Sequence, residues 1–257
     1  MARKANFVAT KWREQGVPEE RVLRAIELLK PTGNPFLDLC IWKGRFPSTV
    51  ARFCSEELKR NPIIEQVQMP LLDQGGSVVS WQGVRADESP SRAKLPEREL
   101  VGGGPDGGDL WNYRPILQWT VEEVFAMHRK HGIDPNPLYK QGMGRVGCMP
   151  CINARKDELL EISRRFPEEI ARVAEWEHIV AGACKLGAAT FFSGSNAKHE
   201  PGSIAGLPPA EIMRTCNISQ VIQWAKTSRG GKQFDFFRVG GEQEEGPLCS
   251  SIYGLCE

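Results

Sequence analysis

The chain has 257 residues, 40% of them hydrophobic and 25% charged, with a formal net charge of +1 at pH 7. That is the profile of a soluble globular protein able to bury a sizeable core, and its near-zero charge argues neither for nor against nucleic acid as a partner. No stretch approaches the roughly 18 apolar residues of a membrane span, and the opening MARKANFVATKW holds no apolar run fit for a secretory signal.

In chain order, PEERVLRAIELLK places Val22, Ile26 and Leu29 on one helical face, with Leu23 beside them. PSTVARFCSEELKR predicts a second helix that stops ahead of Pro62. IIEQVQMPLL and SVVSWQGV read as strands, and the polar, Gly- and Pro-rich RADESPSRAKLPERELVGGGPDGGD as one long loop. Thr120 followed by Glu123 has capping-box spacing and opens a helix that ends near Gly132. ARKDELLEISRRF reads as helical. PEEIARVAEWEHIVAGACKLG reads as a long amphipathic helix with Pro167 in its first turn and Gly187 at its close. AEIMRTCNISQVIQWAKTSRGG is again helical, and the tail is irregular. Interspersed helices and short strands predict an α/β protein.

The eight cysteines carry the strongest chemical signal. The absent signal sequence points to the cytoplasm, where metal or catalytic use explains thiols better than disulfides do. Cys148 and Cys151 flank a tight Gly-Cys-Met-Pro-Cys turn, and Cys249 and Cys256 close the chain in CSSIYGLCE. Four such thiolates suit zinc or an iron–sulfur cluster. Cys40, Cys184 and Cys216 lie in apolar settings and read as core residues. Cys54 sits among Arg45, Arg52 and Lys59, where it reads equally as a ligand, a reactive thiol or an inert residue on a helix face. A second candidate is GVRADESPSR. Arg85, Glu88, Ser89 and Arg92 follow a predicted strand, and arginines placed there can grip phosphate or sulfate. The four histidines form no ligand set, and neither Gly-rich loop has the phosphate-cradling Gly-x-x-x-x-Gly-Lys-Ser/Thr arrangement.

RFCSEELK, WQGVRADESPSR and YRPILQWTVEEVFAMHRKHGIDPNPLYKQGMGRVGCMPC resemble, in order and spacing, the phosphoadenosine phosphosulfate (PAPS) reductase family, in its bacterial and phage branch. The resemblance implies a mostly parallel, doubly wound sheet of the adenine nucleotide α-hydrolase-like kind. That domain is expected over residues 1–151, with a helical, Cys-bearing region over 152–257. It implies an adenine nucleotide or sulfonucleotide held by the Arg85 and Glu88–Arg92 stretch, and a reductant such as thioredoxin. Relatives that use adenosine phosphosulfate hold a four-iron–four-sulfur cluster on a Cys-Cys pair and a later Cys-x-x-Cys. Here Phe53 stands in place of the first cysteine of the pair, so Cys54, Cys148, Cys151 and either Cys249 or Cys256 are the expected ligands, with zinc the alternative. Cys256 is also the positional candidate for the nucleophilic cysteine near the family's C-terminus, in YGLCE rather than a Glu-Cys-Gly-Leu-His-like motif. The family's opening strand and Ser-Gly-Gly-Lys-Asp-Ser-like phosphate loop have no counterpart in this sequence, so the expected fold is N-terminally incomplete: the sequence is a fragment, the loop lies on another polypeptide, or the protein has lost it. The rival expectations are ATP-dependent sulfur transfer in nucleic-acid modification, as in DNA phosphorothioation, and a non-catalytic, metal-stapled binding module.

Overall fold

The structure, a computed structural model, describes residues 1–103, 107–192 and 206–227. Helix α1 (Ala2–Phe7) runs on into a π turn (Val8–Trp12), followed by α2 (Glu19–Leu28) and α3 (Pro35–Lys43). Short helices α4 (Phe53–Ser55), α5 (Asn61–Ile63) and α6 (Met69–Leu72) are joined by π turns at Glu56–Arg60 and Ile64–Gln68. Strands β1 (Val78–Trp81), β2 (Arg98–Gly103) and β3 (Asp109–Tyr113) come next, with short 3-10 turns at Ala86–Glu88 and Arg92–Lys94. The helices then continue as α7 (Val121–Lys130), α8 (Pro137–Lys140), α9 (Lys156–Arg165), α10 (Pro167–Gly182), α11 (Pro209–Thr215) and α12 (Ile218–Ala225).

The chain divides into two compact units. One comprises Met1–Cys54 and the described residues from Gly142 onward, and the other Ser55–Gln141. The first, helical unit is organised around α10, which packs against α2, α3, α9 and α12. Val8, Val22, Ala25, Cys40, Ile41, Val173, Val180 and Ile218 are almost wholly buried in one continuous core. Phe36, Phe46, Trp176 and Phe191 add a cluster of tilted rings with centroids 5.4–6.5 Å apart, a separation at which aromatic pairs attract beyond their area burial. Asn34 caps α3 by accepting from the amides of Phe36 and Leu37, and the left-handed Gly44 ends it. At α9, the buried Glu158 accepts from the amide of Arg155.

The second unit carries a three-stranded sheet in the order β1-β3-β2. β1 pairs with β3 in parallel, and β2 pairs with β3 antiparallel with a bulge between Leu100 and Gly102. The fold is thus α/β, and the described sheet is small and mixed. Helix α7 begins as expected: Thr120 accepts from the Glu123 amide, while the Glu123 carboxylate accepts from the Thr120 amide.

Four expectations are corrected. The stretch 63–72 is helical rather than a strand, because Ile64, Gln68 and Leu72 recur at helical spacing on the inner side. Nor does the helix before it stop at Pro62. Pro62 and Pro70 each lie two residues past a π turn, where the wider register accommodates a ring and a missing N–H. The long loop contains β2, whose alternation is hidden by its exposed charges and terminal glycines. Finally, α10 ends at Gly182 rather than Gly187.

Candidate functional site

Strands β1 and β3 run parallel, so Trp81 and Tyr113 end at the same edge of the sheet. The chain leaving β1 at that edge is pinned in two places, where Gln82 donates its amide to Tyr113 (2.8 Å) and Ala86 to Leu117 (2.7 Å), and the chain leaving β3 is tied to the start of β2 by the Arg114 amide donating to Glu97 (2.8 Å). The carboxyl edge of parallel strands is where α/β sheets bind ligands, since loops diverge there and leave a crevice.

The structure brings all four predicted binding residues of this unit together. Arg85, half-buried, donates to Asp87 at 2.7 Å and stands 3.9 Å from Glu88. Glu88 in turn pairs with Arg92, so one carboxylate lies between the two guanidinium groups. Ser89 Oγ lies 3.0 Å from Ser91 Oγ and accepts from the Arg92 amide. The loop therefore presents two arginines whose charges are balanced by acidic neighbours. An incoming anion has to exchange with Asp87 or Glu88, which tunes the grip rather than abolishing it.

Sequence reasoning missed the residue that holds this edge together. Arg114, only 4% exposed, donates to Gln82 Oε1 (2.9 Å), the Pro96 carbonyl (2.7 Å) and Glu99 Oε2 (2.6 Å). Gln82 also donates to Asn112, which closes a network across β1, β3 and the start of β2. The Arg114 guanidinium holds the Glu99 carboxyl below its ordinary range, helped by Asn112. The available signal was an arginine directly after an apolar strand and before a proline, in WNYRPIL.

The described thiols lie in the helical unit. Cys54 and Cys151 are half-buried against its core, Cys148 is exposed, and the Met149–Pro150 peptide between them is cis. Arg145 reaches Cys151 Sγ at 3.7 Å. Of the basic groups near Cys54, Arg45 lies over the Phe53 ring at 5.7 Å. Burial pushes the Cys40 thiol far up, and the neighbouring Cys54 adds to the shift, consistent with a core role for Cys40. Cys184 and Cys216 are likewise buried. The soft thiol donors suit zinc or an iron–sulfur cluster. Among the described residues, however, no group of three or more His, Cys, Asp or Glu side chains is placed to hold a metal ion. Cys249 and Cys256, the other expected ligands, lie outside the described residues. No described helix is long and apolar enough to cross a membrane.

Comparison with known proteins follows the same stretch of chain. A model of the phosphoadenosine phosphosulfate reductase domain matches residues 42–154, which include Cys54, the Arg85–Arg92 loop, Cys148 and Cys151. An uncharacterised 37.8 kDa protein from the gpa 5′ region of Escherichia phage 186 is 49% identical over 99% of this chain and 77% of its own length. The adenosine 5′-phosphosulfate reductase of Allochromatium vinosum is 39% identical over 28% of this chain, which is 27% of the reductase. That of Deinococcus radiodurans is 31% identical over 44% of this chain and 38% of the reductase. The chain thus spans well under half the length of these reductases. No solved structure matches it.

Proposed function

Because the chain belongs to the PAPS reductase-like family, we propose that it binds an adenine nucleotide bearing a sulfur group and acts on it by thiol chemistry. The observation that carries the reading is the Arg85–Arg92 loop. It leaves the carboxyl edge of β1 beside β3, and its two arginines share one carboxylate. In this reading Arg85 and Arg92 bind the anionic oxygens, Ser89 offers a hydroxyl, and Glu88 holds the guanidinium groups in register until the anion displaces it. A thiolate, with Cys256 the positional candidate, attacks the sulfur. The new S–S bond forms as the S–O bond to the nucleotide phosphate breaks, and a dithiol reductant such as thioredoxin then releases the sulfur group as sulfite, restoring the thiol as the reductant is oxidised to its disulfide. A cytoplasmic setting keeps those thiols reduced.

Cys148 and Cys151, with Cys54 and Cys249, would supply thiolates to a four-iron–four-sulfur cluster, or to zinc, and Cys256 serves as a ligand only if it is not the nucleophile. Bound there, the group would cross-link separate stretches of chain through their sulfurs. The family's mostly parallel, doubly wound sheet belongs to this reading too.

Calorimetric titration of the whole chain with adenosine 5′-phosphosulfate tests the binding step. We expect binding that weakens at least ~10-fold in Arg85→Gln, the loss of one charge-assisted contact. Wild-type protein that takes up no adenylate, with or without an added reductant, overturns the reading and leaves a non-catalytic module.

A further inference from the structure

A cleft of about 380 Å³ opens on the helical unit between α2 and the end of α10, lined among others by Arg21, Arg24, His178, Ala181, Gly187 and Met213. That volume is in the range of pockets that hold small organic ligands. Arg21 and Arg24 are three residues apart on α2 and so share one face of the helix. The exposed His178 faces them from α10.

The surroundings fix the two arginines without neutralising them fully. Arg21 donates one N–H to the Lys185 carbonyl at 3.2 Å, which orients its guanidinium and leaves further donors. That guanidinium lies flush on Gly187: a Cβ there would stand 3.0 Å from its central carbon, and the backbone φ of +75° suits glycine. At Gly182 a Cβ would come within 2.6 Å of Leu28 Cδ1 and 3.7 Å of Arg24 Cγ, so bare backbone lets α2 seat closely against α10. Arg24 pairs with Glu27 at 2.8 Å, but both side chains are more than half exposed, and such a pair is weak enough to exchange. Among the described lining residues Glu20 is the only carboxylate, set against two guanidinium groups and an imidazole.

We propose that this cleft binds a sugar phosphate or nucleotide-sized phosphate ester. The phosphate lies between Arg21 and Arg24, whose planar forks match its oxygens. Glu20 and His178 meet the sugar hydroxyls, and Ala181 and Met213 provide the apolar wall. The site shares no residue with the Arg85–Arg92 loop and stands whether or not that loop binds a sulfonucleotide.

Titration calorimetry on the full chain with ribose 5-phosphate, AMP and inorganic phosphate tests it. Ribose 5-phosphate should bind wild-type protein and Arg85→Gln alike. Binding should weaken at least ~10-fold in Arg24→Gln and vanish in Arg21→Gln/Arg24→Gln. His178→Ala should lower affinity for the esters more than for inorganic phosphate. Arg24 and His178 are exposed, so their single variants decide the matter if the double variant fails to fold by circular dichroism. Unchanged affinity in Arg24→Gln, no heat from any of the three probes, or inorganic phosphate binding as tightly as the esters would each overturn the proposal.

Discussion

The helical unit closes its main ring cluster into a core, whereas the sheet unit displays apolar side chains, rings among them, along one face. In the first, Phe36, Phe46, Trp176 and Phe191 close on one another within a continuous core. In the second, Val79, Trp111 and Leu100 align across β1, β3 and β2 on a single exposed face that continues to Trp81. Helices satisfy their backbone internally and need only one buried stripe, so a few of them close a core. Parallel strands usually carry cover on both faces, and three strands alone leave one bare. Stability therefore has different sources in the two units: apolar packing in the helices, and in the sheet the polar network around Arg114.

Mutations can break that contrast in graded steps. Phe46→Ala, which empties a site in the ring cluster, should cost ~3–5 kcal/mol, read by urea denaturation. Arg114→Met should cost about 2–3 kcal/mol by leaving Glu99, Gln82 and the Pro96 carbonyl without their donor, with faster amide exchange concentrated in β1 and β3. A loss spread evenly over the helical unit instead would contradict the assignment of separate sources.

A subtler step sharpens the helical side. Glu177 is 1% exposed on α10, and its carboxylate accepts from the amides of Phe191 (2.7 Å) and Ile218 (2.9 Å). Burial pushes its carboxyl up to about 7, against the pull of those two amides. The folded state then holds a proton that the unfolded chain releases at ordinary carboxylate pH. Its stabilising contribution is complete below about pH 4.5 and fades as pH rises to about 7. Glu177→Gln, which keeps an acceptor oxygen, should flatten that slope by roughly 1–3 kcal/mol in melts taken from pH 4 to 8. An undiminished slope would assign it to other groups. Smallest of all, Trp81→Ala should stay within about 0.5 kcal/mol of wild type, since the ring is 72% exposed.

Much of this architecture was legible in the sequence wherever a local signal and the tertiary outcome agree. Thr120 and Glu123 announced α7, and Pro167 announced α10. In α3 the run Phe36-Leu37-Asp38-Leu39-Cys40-Ile41-Trp42 is apolar almost all round, so it has no clear period to read. The β-branched 63–67 stretch looked like a strand until helical spacing placed Gln68 and Leu72 inward. At the candidate site, the Arg85–Arg92 loop was legible from its residue types. Its internal pairing and the Arg114 keystone were not, because both depend on which segments β1 and β3 bring together. The α2–α10 cleft was equally invisible, since Arg21 and His178 are far apart in sequence and each is unremarkable alone.

The openness of Trp81 also has a practical consequence. It is the most exposed of the chain's tryptophans, leaning edge-on against Tyr113 at 5.2 Å, whereas Trp12 is sealed in the helical core. Indole emission turns blue when water is excluded, so anything that settles on the sheet announces itself optically, without a label, at a position where a Phe substitution supplies the blank.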